Sequence, residues 1–114
     1  MMTDNLFLKI LNKQIPAKIA YEDEKYIAIH DINPQAPVHV LVIPKDHYAN
    51  LSEASADPEL LAAMARTAHE VAIDEGIASS GFRVVFNTGA DAGQTVFHVH
   101  AHLLGGRGLG WPPG

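Results

Sequence analysis

The chain reads as a single α+β domain, with about five strands in an antiparallel sheet and two helices packed on it. Two observations predict this. Two segments carry apolar residues at helical spacing behind good capping residues. The other apolar residues fall in short runs rich in Val and Ile, separated by Pro, Gly, Asn and Asp. With 114 residues, the chain is long enough to bury one core and too short for two domains.

Residues 3–15 fit the first helix. Thr3 or Asp4 caps it, Leu6, Phe7, Ile10 and Leu11 share one face, and Pro16 stops it. Ile19-Ala-Tyr21 and Tyr26-Ile-Ala-Ile29 flank the polar turn Glu22-Asp-Glu-Lys25 and read as a hairpin. Asn33-Pro-Gln-Ala-Pro37 is a loop, because two prolines forbid regular pairing there. Val38-His-Val-Leu-Val-Ile43 is apolar on both faces except at His39, which predicts a central strand closed by Pro44. The second helix has Asp57 as its cap, Pro58 and Glu59 in the first turn, and Gly76 beyond its end. Leu60, Leu61, Met64, Ala68, Val71 and Ala72 make its apolar stripe. Phe82–Phe86 and Val96–Leu104 are the last two strands, joined by a loop of small and hydrogen-bonding residues. Residues 1–114 thus form one domain that ends in a Gly/Pro tail over 105–114.

Composition excludes several function classes. There are no cysteines, so disulfide scaffolds, thiol catalysis and Cys-ligated zinc are out. The net charge of −5 argues against nucleic acid as a partner. No apolar run approaches the roughly 20 residues a bilayer span needs, so no membrane partner is expected. Met1-Met-Thr-Asp4 has no basic region ahead of an apolar stretch, which predicts a cytoplasmic protein without a signal peptide.

The strongest signal is His98, His100 and His102, alternating with Val99, Ala101 and Leu103. Alternate residues on a strand point to one face, so the three imidazoles are expected about 6.5–7 Å apart along it. Histidine is a poor choice for mere solubility, being largely neutral at pH 7. Two chemical readings follow. Aligned imidazoles can share a zinc ion. A neutral imidazole can also attack phosphorus and later leave again. The second reading needs donors for phosphate oxygens, and the loop Gly89-Ala-Asp-Ala-Gly-Gln-Thr95 can supply them.

Phe97-His-Val-His-Ala-His-Leu-Leu104 resembles the His-φ-His-φ-His-φ-φ signature of the histidine triad (HIT) superfamily, where φ is apolar. Further stretches resemble its Hint branch, the histidine triad nucleotide-binding proteins. They are Ile15-Pro-Ala-Lys18, His30-Asp-Ile-Asn-Pro-Gln-Ala-Pro37, Leu41-Val-Ile-Pro-Lys45, Gly93-Gln-Thr95, Gly105-Gly-Arg107 and Trp111-Pro-Pro-Gly114. The resemblance spans nearly the whole chain and implies the HIT-like fold. The Trp-Pro-Pro-Gly ending favours Hint over Fhit-like diadenosine polyphosphate hydrolases.

The resemblance implies hydrolysis of purine nucleoside 5′-phosphoramidates, with AMP or GMP as product and no metal or other cofactor. His100 is then the nucleophile and passes through a nucleotidyl-histidine. His98 orients it through its backbone carbonyl, His102 contacts phosphate and leaving group, and His39 stands behind the triad as a relay. Asn87, Gly93, Gln94 and Thr95 are implied as the phosphate cradle, with Thr95 where the family more often has serine. Asp31 is implied to bind both ribose hydroxyls, though from the residues alone it reads equally well as a turn residue before Asn33-Pro34. Leu6, Phe7, Ile10, Ile29, His30, Ile32 and Leu41 are implied to line the base pocket, where periodicity alone makes most of them plain core. His47 and His69 lie outside these motifs and read as surface or structural. The resemblance also implies a homodimer whose tails cross to the partner's site. Trp111 suits that, since an indole on a Gly/Pro segment needs something to dock on. The competing readings are a dinucleoside polyphosphate hydrolase and a non-catalytic nucleotide- or zinc-binding module.

Overall fold

The computed structural model describes residues 6–114. In chain order the elements are α1 (Leu6–Leu11), β1 (Ile19–Glu22), β2 (Tyr26–His30), β3 (Val38–Pro44), α2 (Leu51–Ala54), α3 (Pro58–Asp74), β4 (Phe82–Val85) and β5 (Ala101–Gly105). The strands form one antiparallel sheet in the order β1-β2-β3-β5-β4, with β3 central as its apolar run predicts.

Strand alternation sorts the core onto two faces. Tyr26, Ala28, Val40, Val42, Ala101 and Leu103 face α3 and meet Leu60, Met64, Ala68 and Val71. Ile27, Ile29, Leu41 and Ile43 face the other way and are covered by Phe7 of α1. The odd-numbered side of β3 also carries His39, so this histidine lies on the α1 face.

The α3 helix follows its signals. The Asp57 side chain accepts from the Leu60 N–H, and Pro58 occupies the first turn. Gly76 ends it at φ +76°, with Gly76 N–H on Ile73 O and Ile77 N–H on Ala72 O.

Three expectations are corrected. The first helix ends at Leu11, short of the expected residue 15, because Lys13 adopts φ +63°. There the Gln14 N–H bonds Lys9 O and the Lys13 N–H bonds Ile10 O, a glycine-type helix stop built on lysine. The caps proposed at Thr3 or Asp4 lie outside the described residues. Second, α2 was not expected. Asn50 caps it by accepting from the Glu53 N–H, and the Glu53 side chain accepts in turn from the Ala49 N–H. Third, the last strand begins at Ala101 rather than Val96. The ladder with β3 runs only from Val38↔Gly105 to Val42↔Ala101. Before Ala101 the chain leaves the sheet toward residues 44–49, where the Val99 N–H bonds Tyr48 O.

Candidate active site

That departure reshapes the histidine row. His102 alone sits on β5, while His98 and His100 lie on irregular chain just before it. The alternation of faces persists: Val99, Ala101 and Leu103 are buried against α3, and the histidines lie on the α1 side. The even spacing does not. His98 is fully buried and donates from Nε2 to Pro44 O at 2.7 Å. Phe7 stands edge-on to both His98 and His100, with ring centroids 6.0 and 4.8 Å away. His100 and His102 have ring centroids 5.0 Å apart.

The hydrogen-bond partners assign the protons. A carbonyl only accepts, so the 2.8 Å contact from His100 Nδ1 to His98 O puts the proton on Nδ1 and leaves Nε2 with a lone pair. A backbone N–H only donates, so the Gln35 N–H, 3.0 Å from His39 Nδ1, makes that nitrogen an acceptor. Neutral His39 then carries its proton on Nε2 and donates it to His102 Nδ1 at 2.9 Å. His102 must in turn carry its own proton on Nε2. The sheet register makes this pairing possible. Leu41 faces His102 and Leu104 faces His39, so the two histidines are diagonal neighbours across β3 and β5.

Burial favours the neutral form of all four rings. It lowers the proton affinity of His39, His98 and His100 below the ordinary imidazole value. His102 is pushed down to about 4, first by burial and then by the neighbouring His100 and His39.

His100 and His102 open onto a cavity of about 240 Å³. All seven residues expected around the base line it: Leu6, Phe7, Ile10, Ile29, His30, Ile32 and Leu41. Asp31 and Thr95 join them on the wall. Asp31 is a turn residue, as its sequence context allows, and it also stands beside His39. One carboxylate oxygen accepts from the Asn33 N–H as a turn residue, and the other lies 3.5 Å from His39 Nε2. Ile15, Pro16, Ala17 and Val96 also line the cavity and were not anticipated as lining. Ile15-Pro16-Ala17 was visible as a motif, but periodicity offered no reason to bring it to the site.

The phosphate cradle divides. Thr95 reaches the cavity, whereas Asn87 lies outside its wall. The Gly93 N–H is spent on Ala90 O. Gln94 is corrected from ligand to scaffold. Its amide donates to Ala49 O and Val96 O, its side-chain oxygen accepts from the Gly89 N–H, and its own N–H bonds Gly89 O. Gln94 has no donor left for phosphate. His47 is structural as expected, sharing a hydrogen bond with Phe97 O and standing edge-on to His98. His69 is an exposed residue of α3, as expected. Trp111 lies away from the cavity and is 83% exposed, while Arg83 of β4 holds Gly110 O at 2.9 Å. Among the described residues no helix is long and apolar enough to cross a membrane.

The HIT domain family matches residues 12–109. The chain belongs to the HIT family. An uncharacterized HIT-like protein of Synechococcus elongatus is 52% identical over the whole of both chains. A HIT family hydrolase from Clostridium thermocellum shares 50% identity with a TM-score of 0.91, covering 96% of each chain. A 14 kDa zinc-binding protein of Zea mays is 48% identical, covering 96% of this chain and 87% of that protein.

The last name raises the question of a metal. Asp31, His39 and His102 bring ligand-type atoms within 4.8 Å of one another. As arranged, they do not fit an ion. A neutral imidazole has one lone-pair nitrogen, which His39 spends on the Gln35 N–H and His102 on His39. A metal here would have to break both hydrogen bonds.

Proposed function

We propose that this HIT protein is a hydrolase of purine nucleoside 5′-phosphoramidates, of the Hint type, working through a nucleotidyl-histidine. One observation carries the reading. An unprotonated Nε2 on His100 stands beside a protonated Nε2 on His102, at an apolar cavity that also presents the Asp31 carboxylate. A nucleophile and a donor side by side are what displacement at phosphorus requires.

The Nε2 lone pair of His100 bonds to the α-phosphorus as the P–N bond to the amine breaks. The amine nitrogen keeps the bonding pair and takes a proton from solvent, and the His102 Nε2–H hydrogen-bonds it as its charge builds. Water then attacks phosphorus and loses a proton to solvent, and the P–Nε2 pair returns to His100. The proton water loses balances the one the amine takes, so one water adds across the P–N bond. Asp31 offers two acceptor oxygens to a ribose cis-diol, the apolar cavity wall takes the base, and Thr95 offers its hydroxyl to phosphate. The working unit is a homodimer, with Trp111 serving the partner's leaving-group side.

The test is intact-protein mass spectrometry after brief mixing with adenosine 5′-phosphoramidate in EDTA, with AMP release followed in parallel. A transient AMP adduct on the wild type, absent from His100→Ala, is the expected result. No adduct and no turnover until zinc is added back overturns the reading in favour of metal chemistry. Binding without turnover in either condition overturns it in favour of a nucleotide-binding module.

A further inference from the structure

The proton assignment of the His39–His102 pair depends on one backbone group, the Gln35 N–H. Gln35 lies in the irregular connection between β2 and β3, so no sheet ladder holds it in place. Local bonds restrain part of the connection. The Gln35 side chain donates to Asn33 O, and the Asn33 N–H donates to Asp31. Both bonds lie on one side of Gln35; on the other, Ala36 is buried and Val38 already pairs with Gly105, but neither bonds the Gln35 carbonyl itself.

Arg107 restrains that carbonyl directly. It follows β5, 72 residues away in sequence, yet donates from Nη2 to Gln35 O at 2.9 Å. Its Nη1 donates to Gly108 O at 2.8 Å, which ties the guanidinium to its own turn. The register that pairs Val38 with Gly105 brings the turn there. Gly106 lets it sit close, at φ +90°, where a Cβ would come within 2.9 Å of Pro37 Cβ. The planar fork of arginine suits two carbonyls at once.

We propose that Arg107 is a positioning residue for the His39–His102 pair. By holding Gln35, it keeps His39 Nδ1 an acceptor and the Nε2 of cavity-lining His102 a donor. The catalytic consequence rests on the function proposed above; the proton assignment does not.

The experiment compares wild type with Arg107→Met and Arg107→Gln, and with Arg107→Lys as the conservative variant. The ring-nitrogen signals of His39 and His102, read by ¹⁵N NMR, report the proton positions without any substrate. In the wild type they should show one tautomer each, with His39 Nδ1 and His102 Nδ1 unprotonated. In the Met and Gln variants both rings should move toward mixed tautomers. Kinetics on two adenosine 5′-phosphoryl substrates give the second readout. An alkylamine leaving group needs a donor, whereas p-nitrophenolate departs without one. The Met and Gln variants should lose on the order of tenfold in kcat on the amine substrate and less than about twofold on the other, with KM little changed. Lysine, a single-point donor, should fall between wild type and Met. Should Met fail to fold, Gln decides by the same readouts. Ring-nitrogen signals identical to wild type in the folded loss variants overturn the proposal, whatever the rates do. Equal losses on both substrates also overturn it, since they mark a merely structural role. If the wild type turns over neither substrate, the proposed function fails and the NMR result still decides the role of Arg107.

Discussion

At the scale of single residues, the site works by removing water from imidazoles. His100 is a competent nucleophile only while Nε2 is unprotonated. Burial lowers its proton affinity, partly offset by its bond to His98 O and by the Asp31 charge. The sign follows directly. A lowered value means the ring sheds its proton at a lower pH than the ordinary 6.5, so the unprotonated form predominates at neutrality. The kcat/KM profile should be flat through pH 7, with its acid limb below 6.5. A limb at or above 6.5, measured on a phosphoramidate substrate, would contradict the burial argument. Much of this site was legible in the sequence, because side-chain type and strand alternation carry chemistry. His100, His102, Asp31 and the apolar wall meet as the resemblance implies. Gln35 was not legible as a site residue. It acts through its backbone N–H, a group every residue but proline possesses.

Among elements, the parts with local signals were the readable ones. Asp57-Pro58 and Gly76 bound α3 because caps act within one turn of chain. The start of β5 was misjudged for the opposite reason. Whether Val96–His100 joins the sheet depends on a partner strand: in the register of β3 and β5 Pro44, without an N–H, would face Val99, and β3 has ended opposite Val96–His98. What holds that stretch instead is Gln94, whose amide spans the loop from Gly89 to Val96 and ties it to Ala49. The loop delivers Thr95 and the approach to His98, so its shape matters to the cavity. Gln94→Ala should cost about 2–3 kcal/mol, the sum of several modest hydrogen bonds plus buried carbonyls left unpaired. Urea unfolding should show this loss at unchanged m-value. Glu at the same position accepts from the Gly89 N–H but cannot donate to Ala49 O or Val96 O, so it should rescue little. A Gln94→Ala protein as stable as wild type would mean that Pro44, Tyr48 and His47 hold the segment without it.

For the whole molecule, the informative feature is where the tail carries Trp111. Trp111 is 83% exposed at the end of a tail that Arg83 anchors beside β4. β4 is itself an edge of the sheet, with Val84 partly exposed. An indole left in water forfeits a large burial term, and an unpaired strand edge invites a second copy. Both features meet at one side of the molecule, away from this chain's own cavity. If the tail serves the partner's site, Trp111→Ala should change the preference among amine leaving groups more than it changes AMP affinity. An equal effect on both would count against that role. A mixed dimer separates the two geometries. His100→Ala and Trp111→Ala subunits together contain one working nucleophile, on the chain that lacks the indole. If Trp111 acts across the dimer, that site receives the intact tail of its partner, and the wild-type preference returns. If Trp111 acts within its own chain, the mixture keeps the preference of Trp111→Ala alone.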